Sequence, residues 1–129
     1  MKNIWRKIFN KPNENDVILP TNETTKFVVR IKSLEIGYLT FEKGYWIFEY
    51  TDAFRNQDKY RRLVGFSDTK KVYTSEVLWP FFKIRIPGLK QPLVQEILKK
   101  EKIDKNNEAM LLKKFGRNNI SNAYVLETI

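Results

Sequence analysis

Trp79-Pro80-Phe81-Phe82, followed by Lys83 and Arg85, is the densest group of side chains in this sequence that could recognise another molecule. Aromatic rings beside an arginine form typical anchors of protein interfaces. The same rings could instead stack on nucleobases while Lys83 and Arg85 meet phosphates. Four bulky or rigid residues in a row cannot all face one core, because strand and helix geometry send neighbours in different directions. At least one aromatic must therefore reach the surface or a second apolar cluster. A packing role is equally consistent with the composition: Phe81 and Phe82 would fill a core beneath helices, and Trp79 would cap its edge.

Reaction chemistry has few parts to work with. The 129 residues contain no His and no Cys, which removes disulfides, thiolate metal sites and the usual Ser-His or Cys-His nucleophile pairs. Glu35, Glu42, Glu49 and Asp52 are scattered through a region of extended character, where carboxylates ordinarily face solvent, and nothing marks a glycosidase-like pair. The glycines at 37, 44, 65, 88 and 116 form neither G-x-x-x-x-G-K-[ST] nor G-x-G-x-x-G. There is no catalytic-loop Asp-x-x-x-x-Asn followed by a metal-binding Asp of kinase type. The expectation is a protein that is not an enzyme and takes no cofactor, metal or small-molecule substrate.

The formal net charge is +9, and Arg61 to Asn119 holds most of it, with 14 Lys plus Arg against 6 Asp plus Glu. This asymmetry fits an acidic partner such as nucleic acid, an anionic membrane or an acidic protein face. Dispersed lysines that simply keep a small protein soluble account for it as well. Met1 to Asn10 lacks the continuous apolar core and cleavage site of a signal peptide. No run of about 18 apolar residues could span a bilayer, so a cytoplasmic location without stable membrane insertion is expected.

These side chains must be positioned by a single domain, which at this length buries roughly two-thirds of its unfolded surface. Ile4, Trp5, Ile8 and Phe9 form one stripe at helical spacing, a basic amphipathic segment suited to docking on the chain itself or on a partner. With the Pro- and Asn-rich stretch after it, it makes up residues 1–25, and residues 26–129 form the compact domain. Phe27–Ile31, Ile36–Phe41 and Tyr45–Tyr50 read as strands in a meander, with a tight turn at Glu42-Lys43-Gly44 and with Trp46, Phe48 and Tyr50 on the core face. Tyr60–Phe66 is a candidate fourth strand weakened by Gly65, and Lys71–Thr74 is another short extended candidate. Ser75 could cap a helical turn through Leu78, with Pro80 an obstacle to it. Gln91–Lys102 and Asn107–Phe115 read as helices, the first with Pro92 in its opening turn, the second capped by Asp104 or Asn106 and stopped by Gly116. Ala123–Leu126 is a final strand at a sheet edge. Strands first and helices later indicate an α+β domain: a small antiparallel sheet of four to five strands with two to three helices packed on it.

Gly37-Tyr38-Leu39-Thr40-Phe41-Glu42-Lys43-Gly44-Tyr45-Trp46-Ile47-Phe48-Glu49-Tyr50 resembles the hairpin pattern G-x-L-x-F-x-x-G-x-W-x-F-x-Y of the N-terminal subdomain of HipA-type toxin kinases. The likeness continues in order through Pro80-Phe81-Phe82, Ile86-Pro87-Gly88, the Pro92 to Lys102 helix and Leu111-Leu112-Lys113-Lys114-Phe115-Gly116-Arg117, covering about Lys26 to Leu126. None of these motifs is catalytic; their ordered coincidence carries the resemblance. In that family the subdomain precedes a Ser/Thr-kinase-like body that is restrained by a DNA-binding antitoxin. Because the chain stops at Ile129, before any kinase body, the resemblance implies a HipS-like small subunit or the short half of a split HipA. Such a subunit would dock on a separately encoded kinase body and modulate it, with restraint the expected sign, in a complex that can include the DNA-binding antitoxin. The residues expected at the partner face are Trp79, Phe82, Arg85 and Arg117. A basic nucleic-acid-binding module is the alternative.

Overall fold

A computed structural model describes residues 24–118 and 122–129. The expectations for the Trp5 stripe and for the linker up to Glu23 lie outside the described residues. β1 (Thr24–Ile31), β2 (Leu34–Glu42) and β3 (Tyr45–Tyr50) form the meander, followed by α1 (Asp52–Arg55), β4 (Tyr73–Ser75), α2 (Pro80–Lys83), α3 (Pro92–Glu101), α4 (Glu108–Phe115) and β5 (Val125–Thr128). The five strands form one sheet in the order β4-β3-β2-β1-β5, and every pairing is antiparallel. This is the α+β class expected from the sequence, with one helix more than anticipated.

Local chemistry explains most of the meander. The β2–β3 turn places Lys43 at φ 53° and Gly44 at φ 84°, the two positive values that let a two-residue turn match the twist of its strands. Leu39 pairs with Phe48 and Phe41 with Trp46, so alternation sends Trp46, Phe48 and Tyr50 to one face, where all three are buried. Phe27, Val29, Ile31, Ile36, Leu39 and Leu126 join them from the other strands. Phe54, Leu63, Phe66, Leu78, Phe82, Ala109 and Leu112 complete the core from the helices and loops. On the opposite face Tyr45 is exposed and Ile47 half-buried.

Two expectations about the middle of the chain are corrected. Tyr60–Phe66 is not a strand; the fourth strand is β4, and residues 56–72 are an irregular loop. Gly65 sits at φ 92°, and the loop's backbone groups bond to side chains instead of to a ladder. The Tyr50 hydroxyl accepts from Leu63 N at 2.9 Å and donates to Phe66 O. Gln57 works the same way, donating to Phe54 O and Tyr60 O and accepting from Tyr60 N. Ser75 does not cap a helix either. It ends β4, and its hydroxyl accepts from Val77 N and donates to Val77 O, closing a turn.

The helices obey their terminal signals with two changes. Asn107, not Asp104 or Asn106, caps α4 by accepting from Met110 N, while Asp104 accepts from Asn106 N in the turn before it. Gly116 follows α4 with φ −86°, an ordinary helical value. Space is what requires glycine there, because a Cβ would lie 2.5 Å from Leu112 O and 2.7 Å from its side chain. Adjacent Leu111 and Leu112 split between clusters: Leu112 enters the main core, and Leu111 joins Val94 and Leu98 of α3 in a smaller one. That division fastens the α3–α4 pair to the sheet.

Gly37 explains the first position of the hairpin pattern. A Cβ there would stand 2.6 Å from both Glu49 O and the buried Phe48 ring. Gly37→Ala should therefore destabilise the fold by about 1–3 kcal/mol, read as a lower urea midpoint; an unchanged midpoint would refute the steric account. Burial also pushes the Tyr50 hydroxyl up to about 12 from its ordinary value of 10.0. The unfolded chain releases that proton first as pH rises, so this contribution is intact below about pH 10 and is lost between pH 10 and 12. Tyr50→Phe should lower stability at pH 7 by about 1–3 kcal/mol through the two unpaired backbone groups. It should also flatten the alkaline decline seen in thermal melts.

Candidate functional site

Proline geometry organises the region that carries the aromatic cluster. A residue before proline is driven out of the helical region, and Trp79 accordingly sits at φ −67°, ψ 149° as the N-cap of α2. Pro80 occupies the first turn, where its missing N–H costs nothing. Trp79 O then accepts from Phe82 N and Lys83 N, at 3.0 and 2.9 Å. The single turn of helix sends the three aromatics in separate directions. Phe82 is wholly buried, with its ring centroid 5.7 Å from that of Phe48 and 5.9 Å from that of Phe66. Trp79 is half-buried, edge-on to Phe66 at 5.1 Å. Phe81 is half-buried against Tyr124 at 5.8 Å.

Arg85 lies one residue past the α2 C-cap and is buried at 4% exposure. Its Nη1 donates to Gly116 O at 2.8 Å and Arg117 O at 3.1 Å; its Nη2 donates to Tyr124 O at 2.8 Å and Asn122 Oδ1 at 3.2 Å. Nε is buried without a partner. Among the described residues no carboxylate pairs with this cation. Three backbone carbonyls and one amide oxygen disperse its charge, and two of those carbonyls lie just past the C-terminus of α4, the negative end of the helix dipole. Burial pulls the guanidinium below its ordinary value, but arginine starts so high that it stays a cation.

Of the four residues expected at a partner face, the fold therefore encloses Phe82 and Arg85. Their side chains are not accessible in this chain, and any effect they have on a partner passes through the structure they hold. Trp79 keeps a partly open edge. Arg117 is exposed, and its Nη1 bonds to Glu127 Oε2 at 3.0 Å. Glu127 Oε1 also accepts from Arg30 Nε at 2.9 Å, and Arg30 reaches Glu35. The Arg30 hydrogen bond, aided by Arg117, holds the Glu127 carboxyl below its usual range. The chain thus joins β5, β1 and the segment after α4 on the solvent face of the sheet. Arg117 stands there, whereas Trp79 packs on the core of the opposite face, so the two do not form one patch.

Sequence reasoning did not single out the apolar residues exposed nearest the aromatic cluster: Val77, Ile84 and Leu93, each more than 60% exposed. Among the described residues no three His, Cys, Asp or Glu side chains gather as metal ligands would, and no helix is long and apolar enough to cross a membrane.

The profile of the HipA N-terminal domain matches residues 27–121. The chain belongs to the HipA N-terminal domain family. A solved structure described as the N-terminal domain of HipA toxin superposes with a TM-score of 0.54 at 14% identity, covering 90% of this chain and 97% of that one. At that identity the superposition speaks for the shared fold alone. No curated protein matches the sequence. The family pattern now has physical content in this chain: Gly37 admits Phe48, the Trp-x-Phe-x-Tyr alternation fills the core, and Phe82 closes it.

Arg85 supplies the test of this geometry. Arg85→Met should cost at least about 3 kcal/mol, because several buried carbonyls lose their donors together. Arg85→Lys should fall between Met and the native residue, an ammonium lacking the planar fork. Arg117→Ala, at the surface, should stay within about 0.5 kcal/mol of native. Urea midpoints for the three variants would check this order; an Arg85→Met protein as stable as native would refute the clasp.

Proposed function

We propose that this HipA N-terminal domain is a non-catalytic module of a toxin–antitoxin kinase system, working in the cytoplasm as a separate subunit that docks on a Ser/Thr-kinase body and restrains it. Membership of the HipA N-terminal domain family carries the proposal. A DNA-binding antitoxin belongs to the same proposed complex.

Docking of this kind requires contact area. A stable interface buries about 1,200–2,000 Å² in total, centred on a few well-packed apolar anchors. The segment from Val77 to Leu93 offers the open edge of Trp79 together with exposed Val77, Ile84 and Leu93. Val77 lies in the turn after β4, Trp79 and Ile84 flank the short α2 turn, and Leu93 belongs to α3; the Arg85 clasp and the Leu111–Leu112 division hold these elements in place. Restraint further demands that the subunit bind an inactive kinase conformation more tightly than the active one, since equal affinity shifts no population.

Affinity capture with a HipA-type kinase body expressed as a separate chain tests the proposal. The native domain should retain the kinase body and slow its phosphoryl transfer. Val77→Asp combined with Ile84→Asp, both at exposed positions, should weaken capture at least about tenfold, a cost ordinary for anchor residues, without lowering the melting temperature by more than a few degrees. A kinase body that is not retained, or one retained equally by the surface variant, would sink the docking face.

A further inference from the structure

Among the described residues, the loop 56–72 is the longest connection between regular elements and builds no secondary structure of its own. Ordered connections of this length are uncommon and usually serve binding. Here the loop is fastened at several points: by Gln57 to Phe54 and Tyr60, by Tyr50 to Leu63 and Phe66, and by Tyr73, whose hydroxyl accepts from Asp68 N. Arg55 of α1 donates to Thr69 O at 2.7 Å and ties the far side to the helix. Between these fixings lies a cleft of about 720 Å³, within the size range of small-ligand pockets.

The cleft is basic. Arg55, Arg61 and Arg62 line it, opposed within the lining by Asp58 alone among carboxylates. Over residues 55–71 six Lys or Arg stand against two Asp. Arg55 is engaged with Asp52 and Thr69. Arg61 and Arg62 are exposed and have no ion pair among the described residues. Both line the same cleft, and an arginine fork suits phosphate oxygens, which it can bond in pairs. The volume exceeds one phosphate group, so a fitting ligand carries a body beside it. Tyr60 and the 83%-exposed Val64 provide the wall for that body. Tyr60 is half-buried against the core, with Lys59 Nζ 5.3 Å from its ring centroid, and the exposed part of the ring lines the cleft, where a base can pack on it.

We propose that this cleft binds the phosphate of a nucleotide, free or within a single strand, on Arg61 and Arg62, with the base against Tyr60. The site is independent of the kinase-docking face, since its residues come from the loop and α1 and not from Val77 to Leu93. Either proposal can fail alone.

Fluorescence anisotropy of a labelled single-stranded oligonucleotide with the full chain provides the test, with AMP, inorganic phosphate and polyglutamate as competitors. The double variant Arg61→Ala/Arg62→Ala should weaken binding at least about tenfold and lower the salt slope by roughly one, as expected for one phosphate released. Lys99→Ala/Lys100→Ala, removing equal charge from α3, should stay within about twofold of native. Val64→Glu should also weaken binding by adding negative charge at the mouth of the cleft, and serves if the arginine variant folds poorly. Displacement by AMP identifies a free nucleotide, and resistance to AMP identifies a strand; both support the site. The proposal is overturned if nothing binds, if both double variants weaken binding equally, if inorganic phosphate displaces the probe at concentrations no higher than AMP needs to do so, or if polyglutamate displaces the probe, which would indicate an acidic protein partner.

Discussion

The guanidinium of Arg85 is the interaction on which the rest of this domain depends. Buried cations are expensive unless their protons all find acceptors. This one satisfies both terminal nitrogens, though not Nε, by gathering carbonyls that lie far along the chain from it, at the end of α4 and the approach to β5. Those segments would otherwise be held only by their own apolar contacts. The α2 turn, the α3–α4 pair and the edge strand thereby become one assembly, although four-residue helices and edge strands have little stability alone. Phe81 completes the arrangement, its ring centroid 6.0 Å from the Arg85 guanidinium carbon.

A second organising principle is the use of side chains where ladders stop. Tyr50 belongs to a strand, yet its hydroxyl supplies both a donor and an acceptor to a loop that has no sheet partner. Gln57 and Thr51 do likewise, Thr51 capping α1 and donating to Glu35 O at 2.6 Å. The loop is therefore irregular in its dihedrals but satisfied in its hydrogen bonds, which buried backbone demands. Its arginines face outward because its apolar members, Leu63 and Phe66, are drawn under the sheet. Surface chemistry in this domain follows from what the core has claimed.

Much of the fold could be read from residue order. β1–β3 follow from β-branched and aromatic alternation, the turn from Lys43-Gly44, and α3 and α4 from apolar spacing with Pro92 and Gly116 at their limits. The less legible parts share one cause. Residues 60–66 carry strand-forming residues, but whether they pair depends on a free sheet edge, and β4 occupies the edge of β3 that they would need. Asp104, Asn106 and Asn107 are chemically interchangeable as caps, and only the register of α4 against α3 selects Asn107.

The partner-facing residues show the same boundary. Sequence alone determined that Trp79, Phe81 and Phe82 must diverge, because successive side chains on any regular backbone point apart, and that Pro80 would force an extended residue before it. It also determined the family pattern, since those positions are occupied for steric reasons local to a hairpin. Which ring turned inward, and whether Arg85 met solvent or carbonyls, was decided only by tertiary structure. The acceptors for Arg85 lie some thirty to forty residues downstream. Only packing of the α4 terminus against α2 brings them within bonding distance, and no local rule of sequence encodes that approach.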